Sequence, residues 1–116
     1  MSYRHYSNHL YEFAEIMLFA LDVPPHLQGF LFLAEAVAIR AKDECSRLQT
    51  IYSRIAATYG ISRKTVSSAM SYAIFYSPDV LCATLRTTRG ELFIGKVISS
   101  LALFINCFVL DPTKPT

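Results

Sequence analysis

Basic and hydroxyl side chains are concentrated in one short segment, residues 62–72. The candidate contact residues among them are Ser62, Arg63, Lys64, Ser67, Ser68, Ser71 and Tyr72. Cationic side chains bind phosphates, whereas hydroxyl groups can donate to, or accept from, the edges of nucleotide bases. If this segment forms a helix that docks on duplex DNA, its cations would contact phosphates and its hydroxyl groups would face base edges. In a helical bundle we expect Arg54 and Arg89 to lie nearby and to add phosphate contacts.

The residues around Gly60 predict the two helices that would carry this surface. Residues 44–59 have apolar side chains at three- and four-residue spacing, and Gly60 can end this helix in the left-handed conformation. Ser62 can cap the next helix, which Ser77 and Pro78 should end. The residues expected on its inward side are Val66, Ala69, Met70, Ala73 and Ile74.

The spacing across this turn is typical of a helix-turn-helix. That motif needs a small residue at the helix crossing, a residue that tolerates positive φ in the turn, and a branched apolar residue on the second helix. Ala56, Gly60 and Val66 supply these at offsets of four and ten. The flanking residues expected in the core are Ile55, Tyr59 and Ile61. Any two helices joined by a glycine can show this spacing, so a purely structural helical hairpin is the alternative.

Four further helices are predicted from apolar periodicity and helix-breaking residues. They cover about residues 7–21, 25 or 26 to 42, 80–85 with Asp79 as N-cap, and 91–108. The second of these is apolar on most sides and should lie at the centre, with Leu33 and Val37 buried. The sequence therefore predicts a single all-α domain over residues 1–116, a six-helix bundle containing a helix-turn-helix, ordered over about residues 7–110.

Composition and charge are those of a packed domain with a modest positive charge. Apolar residues make up 53% and charged residues 17%, so a hydrophobic core is expected. Residues 1–39 hold one base and four acids, a balance of −3, whereas residues 40–89 hold eight bases and three acids, a balance of +5. This uneven charge favours an anionic partner, although an ordinary solvated surface would carry such charges as well.

The sequence carries no signature of catalysis, metal binding or export. Cys45, Cys82 and Cys107 are odd in number, lack C-x-x-C spacing and lie in apolar stretches, so free buried thiols in a reducing compartment are expected. The histidines are too scattered for a metal site and no serine stands in a nucleophile elbow. We therefore expect no enzyme, no cofactor and no small-molecule substrate. Polar residues interrupt the apolar stretch 92–110 and no signal peptide is recognisable, so we expect a cytoplasmic protein without a membrane partner.

A second motif lies outside the generic helix-turn-helix pattern. It is Val23-Pro24-Pro25-His26-Leu27-Gln28-Gly29-Phe30, followed by an apolar helix. This motif resembles the opening of the C-terminal DNA-binding domain of the master sporulation response regulator of endospore-forming bacteria. The resemblance continues through residues 52–56, 59–60, Val66, Ala69, 73–74 and 91–94. It covers about residues 10–108, which is nearly the whole chain.

The resemblance implies a six-helix effector domain whose fourth helix enters the major groove of duplex DNA and which can associate as tandem copies on DNA. The chain would be a transcriptional regulator or accessory factor in the bacterial cytoplasm, reading DNA with the helix that starts at Ser62. We expect a stand-alone domain without the family's phosphoacceptor receiver domain, so control by phosphorylation is not carried over. The family presents charged side chains where Ser67, Ser68 and Ser71 stand here, so the same operator is not expected.

The apolar excess of the chain supports a second interpretation, a helix-turn-helix-derived protein interaction module that no longer binds DNA. On the last helix, Phe104, Ile105, Phe108 and Val109 wrap more than one face, so some of them must be exposed. Exposed aromatic clusters mark interfaces. We therefore expect a homodimer, or tandem copies, associated through Phe104 and Phe108.

Overall fold

The described part of the chain forms six α-helices and one short 3-10 helix, and it contains no strand. The computed structural model describes the backbone of residues 2–108 and the side chains of residues 9–107. The helices are α1 (Ser2–Ala20), α2 (Gln28–Lys42), α3 (Leu48–Tyr59), α4 (Arg63–Tyr76), α5 (Asp79–Leu85), the 3-10 helix (Arg89–Glu91) and α6 (Ile94–Phe108). The predicted all-α class and the six helices are therefore confirmed.

Helix α2 lies at the centre of the bundle and packs against α1, α3, α4 and α6. Its sequence explains this position, because apolar side chains point in nearly all directions from its axis. Phe32, Leu33 and Val37 are completely buried, which confirms the prediction for Leu33 and Val37. Burying one large apolar side chain contributes about 1.5–3 kcal/mol, so α2 supplies a large share of the stability.

A close approach between α2 and α4 fixes the position of α4. Gly29, in the first turn of α2, lies against the backbone of α4. A Cβ added there would be 2.0 Å from the carbonyl oxygen of Ala69 and 2.8 Å from Cβ of Ala73. Only a residue without a side chain fits at this crossing. The glycine of the motif over residues 23–30 therefore sets the distance between the two helices.

Helix α3 begins later than the sequence predicted, at Leu48 rather than at Glu44. The Asp43 side chain accepts a hydrogen bond from the Cys45 amide at 3.1 Å, and the Ser46 hydroxyl donates to the Asp43 carbonyl at 2.7 Å. Short side-chain bonds of this kind compete with a helical turn. They hold a turn between α2 and α3 instead.

Other helix ends also differ from the prediction. Helix α2 begins at Gln28, because the Leu27 amide turns back to the Pro24 carbonyl before the helix starts. Asp79 is the first residue of α5, and Pro78 is the N-cap in its place. The 3-10 helix precedes α6, so α6 begins at Ile94 instead of residue 91, and α1 begins at Ser2 instead of residue 7.

Two predictions of burial are wrong. All three cysteines are free thiols, but Cys45 and Cys107 are exposed and Cys82 is half-buried. Cys45 stands in the turn after α2, between Glu44 and Ser46, and Cys107 lies on the outer side of α6, where apolar neighbours in the sequence do not mean burial. Tyr59 is 37% exposed rather than part of the core.

Tyr59 instead joins the end of α3 to α2. Its hydroxyl donates a hydrogen bond to the Glu35 carboxylate, and its ring is tilted against Phe32 with 5.3 Å between the centroids. Partial burial and this bond together raise the pKa of Tyr59 to about 12. Tyr59 therefore holds the last turn of α3 in place next to the turn that leads into α4.

Candidate nucleic-acid interface

The turn between α3 and α4 has the geometry that the sequence predicted. Gly60 adopts a left-handed conformation with φ of 68°, and the amides of Gly60 and Ile61 both donate to the Ala56 carbonyl. Ala56 is 7% exposed and Val66 is completely buried. Because the small, the left-handed and the branched residue stand where the motif needs them, the arrangement is compatible with a helix-turn-helix.

The first turn of α4 is capped by Ser62 and presents two cationic side chains. Ser62 Oγ accepts a hydrogen bond from the Thr65 amide at 3.1 Å and lies 2.9 Å from Thr65 Oγ1. The Ser62 hydroxyl therefore stabilises the helix and is already occupied. Arg63 and Lys64 are exposed and form no ion pair within the described residues.

The backbone amides of Arg63 and Lys64 also have no acceptor in the part of the chain that the structure describes. Unsatisfied amides at a helix N-terminus carry a partial positive charge, to which the aligned peptide dipoles add. The start of α4 thus combines two full positive charges with this partial charge. An anion placed here would be stabilised by both.

The other predicted contact residues of α4 divide between its exposed face and its flanks. Ser68 and Tyr72 are exposed and lie opposite the buried side of the helix. Ser67 and Ser71 are half-buried, and Ser67 Oγ donates to the Lys64 carbonyl at 3.1 Å. Of these four residues, Ser68 and Tyr72 are therefore the more exposed.

A shallow, open groove of about 400 Å³ lies between the start of α3 and the start of α4. Its lining residues are Gln49, Tyr52, Ser62, Arg63, Lys64 and Ser67. Four of these six were predicted as contact residues from the sequence, and Gln49 and Tyr52 were not. Tyr52 was missed because its helical spacing marks a core residue, and nothing in the sequence shows that its side chain also reaches a groove.

Tyr52 is the most buried residue of this groove, with 6% of its surface exposed. Burial raises the pKa of the Tyr52 hydroxyl, so the group stays protonated and can donate a hydrogen bond at neutral pH. Within the described residues this hydroxyl has no hydrogen-bond partner. Its oxygen is not fully buried, so water in the groove, or a ligand bound there, can accept its hydrogen bond.

Two of the predicted phosphate contacts, Arg54 and Arg89, do not line the groove. Arg54 is exposed on α3, but at 3.6 residues per turn it projects roughly opposite to Gln49 and Tyr52. Arg89 forms an exposed ion pair with Asp79, with 2.6 Å between Nη2 and Oδ1. The hydrogen bond to Asp79 and its charge raise the pKa of Arg89. Arg54 and Arg89 would have to contact a nucleic acid outside the groove.

Aromatic rings cover the C-terminal half of the exposed side of α4. Tyr72 and Tyr76 pack edge to face with 5.9 Å between centroids, and His26 packs in the same way on Tyr76 at 6.3 Å. Phe75 is also exposed. These four residues are called the aromatic patch below. Sequence reasoning identified only Tyr72 of this group, although helical spacing places the other two residues of α4 on its outer side.

The predicted oligomer interface on α6 is described only in part. Phe104 is about half exposed and the neighbouring Leu103 is 62% exposed, so this face is apolar. The side chain of Phe108 lies outside the described residues. A second exposed apolar stripe, which the sequence did not suggest, lies on α1 and consists of Phe13, Ile16 and Phe19.

Neither a metal site nor a membrane-spanning helix is found in the part of the chain that the structure describes. The described residues contain no group of three or more His, Cys, Asp or Glu side chains arranged to hold a metal ion. They also contain no helix with the length and hydropathy needed to cross a bilayer. Comparison with protein-family models, with curated proteins and with solved structures gives no match to this chain. What the protein binds is therefore inferred from the site itself.

Proposed function

We propose that the chain binds duplex DNA through α4, as a bacterial transcriptional regulator or accessory factor. The observation that carries this proposal is the first turn of α4, where the exposed side chains of Arg63 and Lys64 stand beside free backbone amides on a capped helix. Such a helix N-terminus attracts phosphate groups. The resemblance to the effector domain of the sporulation regulator supports the same function.

The dimensions of α4 suit the major groove of DNA. The helix has 14 residues and is therefore about 21 Å long, and a major groove about 12 Å wide admits one helix. With the N-terminal half of α4 in the groove, Arg63 and Lys64 would contact phosphates while Ser68 and Tyr72 would face base edges. Helix α3 would then lie across the DNA backbone.

Binding of this kind should be weakly specific and sensitive to salt. A serine hydroxyl can donate or accept, so it discriminates bases less sharply than the bidentate fork of arginine. Arg63 and Lys64 supply two phosphate contacts. The logarithm of the binding constant should therefore fall against the logarithm of the salt concentration with a slope of about −1.8, called the salt slope here. Raising the salt concentration from about 50 to 200 mM should then weaken binding roughly tenfold.

The experiment is a fluorescence-anisotropy titration of several duplexes at two or more salt concentrations. Arg63→Ala should weaken binding to all duplexes about equally and reduce the salt slope by about one, whereas Ser68→Ala should change the preference among sequences. Arg54→Ala is the matched control. It removes the same charge from the side of α3 that faces away from the groove, so it should weaken binding less than Arg63→Ala does. An equal loss in both arginine variants would mean that binding depends on net charge rather than on α4.

The aromatic patch favours a second candidate function, a protein interaction module derived from a helix-turn-helix. Tyr72 and Tyr76 are 61% and 52% exposed, and aromatic side chains are enriched in protein interfaces. The exposed face of α6 would add a homodimer contact through Phe104. The titration separates the two functions, because an interaction module would bind no duplex even at low salt.

A further inference from the structure

We infer that the groove between α3 and α4 binds one phosphate group, and that the Tyr52 hydroxyl is the neutral donor that fixes its position. This inference rests on the proposed DNA binding, which makes a backbone phosphate the source of the group. The donors that line the groove and the position of the Tyr52 hydroxyl at its surface support it.

The groove presents donors and no carboxylate. Arg63 and Lys64 offer cationic side chains and free backbone amides, and Gln49 offers a side-chain amide. None of the residues that line the groove is acidic. A phosphate monoanion of the DNA backbone has only acceptor oxygens, so it matches such a set of donors. A carboxylate or a base edge would leave more of these donors unused.

Tyr52 supplies an observation independent of the helix N-terminus. Its side chain is more than nine-tenths buried, and the small exposed remainder includes the hydroxyl, which has no partner within the described residues. The neighbouring hydroxyl groups are used inside the fold, since Ser62 caps α4 and Ser67 donates to the Lys64 carbonyl. Tyr59, on the same helix, bonds to Glu35. Among these groups only Tyr52 holds an unused donor, and it lines the groove.

The test uses Tyr52→Phe, which removes one hydroxyl group and keeps the buried ring. Because the hydroxyl has no partner in the fold, the thermal stability of the free protein should not fall. Affinity for duplex DNA should fall about tenfold, as expected for a lost hydrogen bond to a charged group. The salt slope should stay unchanged, because tyrosine is neutral, whereas Lys64→Ala should reduce it by about one.

Tyr59→Phe is the matched control, because it removes a hydroxyl from the same helix at a position that does not line the groove. It should leave DNA affinity unchanged. Equal affinity of the wild type and Tyr52→Phe would overturn the inference while the proposed function stands. The inference would also be overturned if Tyr52→Phe lowered the free energy of unfolding by as much as it weakened the free energy of DNA binding, since Tyr52 would then be only structural.

A titration of ¹⁵N-labelled protein with inorganic phosphate distinguishes the source of the group. Shifts of the Arg63 and Lys64 amides that are lost in Tyr52→Phe would support the phosphate site whether or not duplex DNA binds. If phosphate produces these shifts but no duplex binds at low salt, the site takes a free phosphate and the proposed function fails. If neither phosphate nor duplex DNA binds, both proposals are overturned.

Discussion

Replacing Gly29 by alanine would place a methyl group where α2 and α4 leave no space. The added Cβ would lie 2.0 Å from the carbonyl oxygen of Ala69, whereas ordinary contacts begin near 3.4 Å. The atoms would have to separate by about 1.4 Å, the difference between these two distances. A backbone carbonyl inside a helix cannot rotate away as a side chain can. The helices themselves must therefore move apart.

The loss of folding stability in Gly29→Ala arises from the packing contacts between α2 and α4 that this movement loosens. A gap of about 0.5–1 Å already removes a quarter to a half of the dispersion energy of the atoms that face it. Val66, Met70, Ala73 and Ile74 form the buried side of α4 and would be affected together. Overpacking of cores costs about 1–3 kcal/mol, and the contact with backbone atoms places Gly29→Ala at the upper end, about 3 kcal/mol.

This loss can be measured by urea unfolding followed by circular dichroism. The urea concentration at the midpoint should fall, while the dependence of the unfolding free energy on urea concentration should stay unchanged. Gly95→Ala is the control, because a Cβ there would meet its nearest neighbours at 3.7 Å. Alanine is the better helix former, so Gly95→Ala should be neutral or stabilising by up to about 1 kcal/mol. A loss below about 1 kcal/mol for Gly29→Ala would show that α2 and α4 do not approach this closely.

Four further predictions concern other parts of the fold. Leu33→Ala should destabilise by about 2–5 kcal/mol in urea unfolding, and a loss well under 1 kcal/mol would remove α2 from the centre of the bundle. Gly60→Ala should lower the stability by about 1–2 kcal/mol. Because an added Cβ meets nothing within 4 Å, this loss would come from the strain of the left-handed backbone alone. A neutral result would contradict the left-handed turn. The pKa of Tyr59 is raised to about 12, so the stability from its bond to Glu35 is present below pH 10 and lost as the pH rises toward 12. Unfolding of the wild type and of Tyr59→Phe compared over this range measures the loss, and identical curves would show that the bond does not form. Sedimentation at micromolar concentration should show a dimer that Phe104→Asp converts to a monomer, and a wild-type monomer would refute the α6 interface.

The number and order of the helices could be predicted because apolar spacing and helix-breaking residues act locally. Gly60 and Ser62 were assigned correctly for the same reason, since a left-handed cap and a serine N-cap depend on a few neighbouring residues. The start of α3 was not predicted, because the Asp43 side chain offers the backbone another bonding pattern. Propensity and periodicity do not show which pattern has the lower energy.

The candidate site was predicted only where its residues lie close in sequence. Ser62, Arg63, Lys64 and Ser67 lie within six residues of the sequence, at the N-cap and start of α4, and they do line one groove. Tyr52 joins them from α3, and only the packing of the two helices decides that its hydroxyl remains unpaired. Arg89 was expected nearby, but Asp79 lies within reach and pairs with it. DNA binding itself remains a prediction that the titrations above address.

The central position of α2 also has a consequence for how the chain is synthesised. Its partner α1 precedes it in the chain, but α4 and α6 are made later. Until α6 has emerged from the ribosome, part of the apolar surface of α2 remains in contact with water, and such surfaces promote aggregation. A fragment ending at residue 93 should therefore precipitate or remain bound to chaperones, although it contains both helices of the proposed DNA-binding motif.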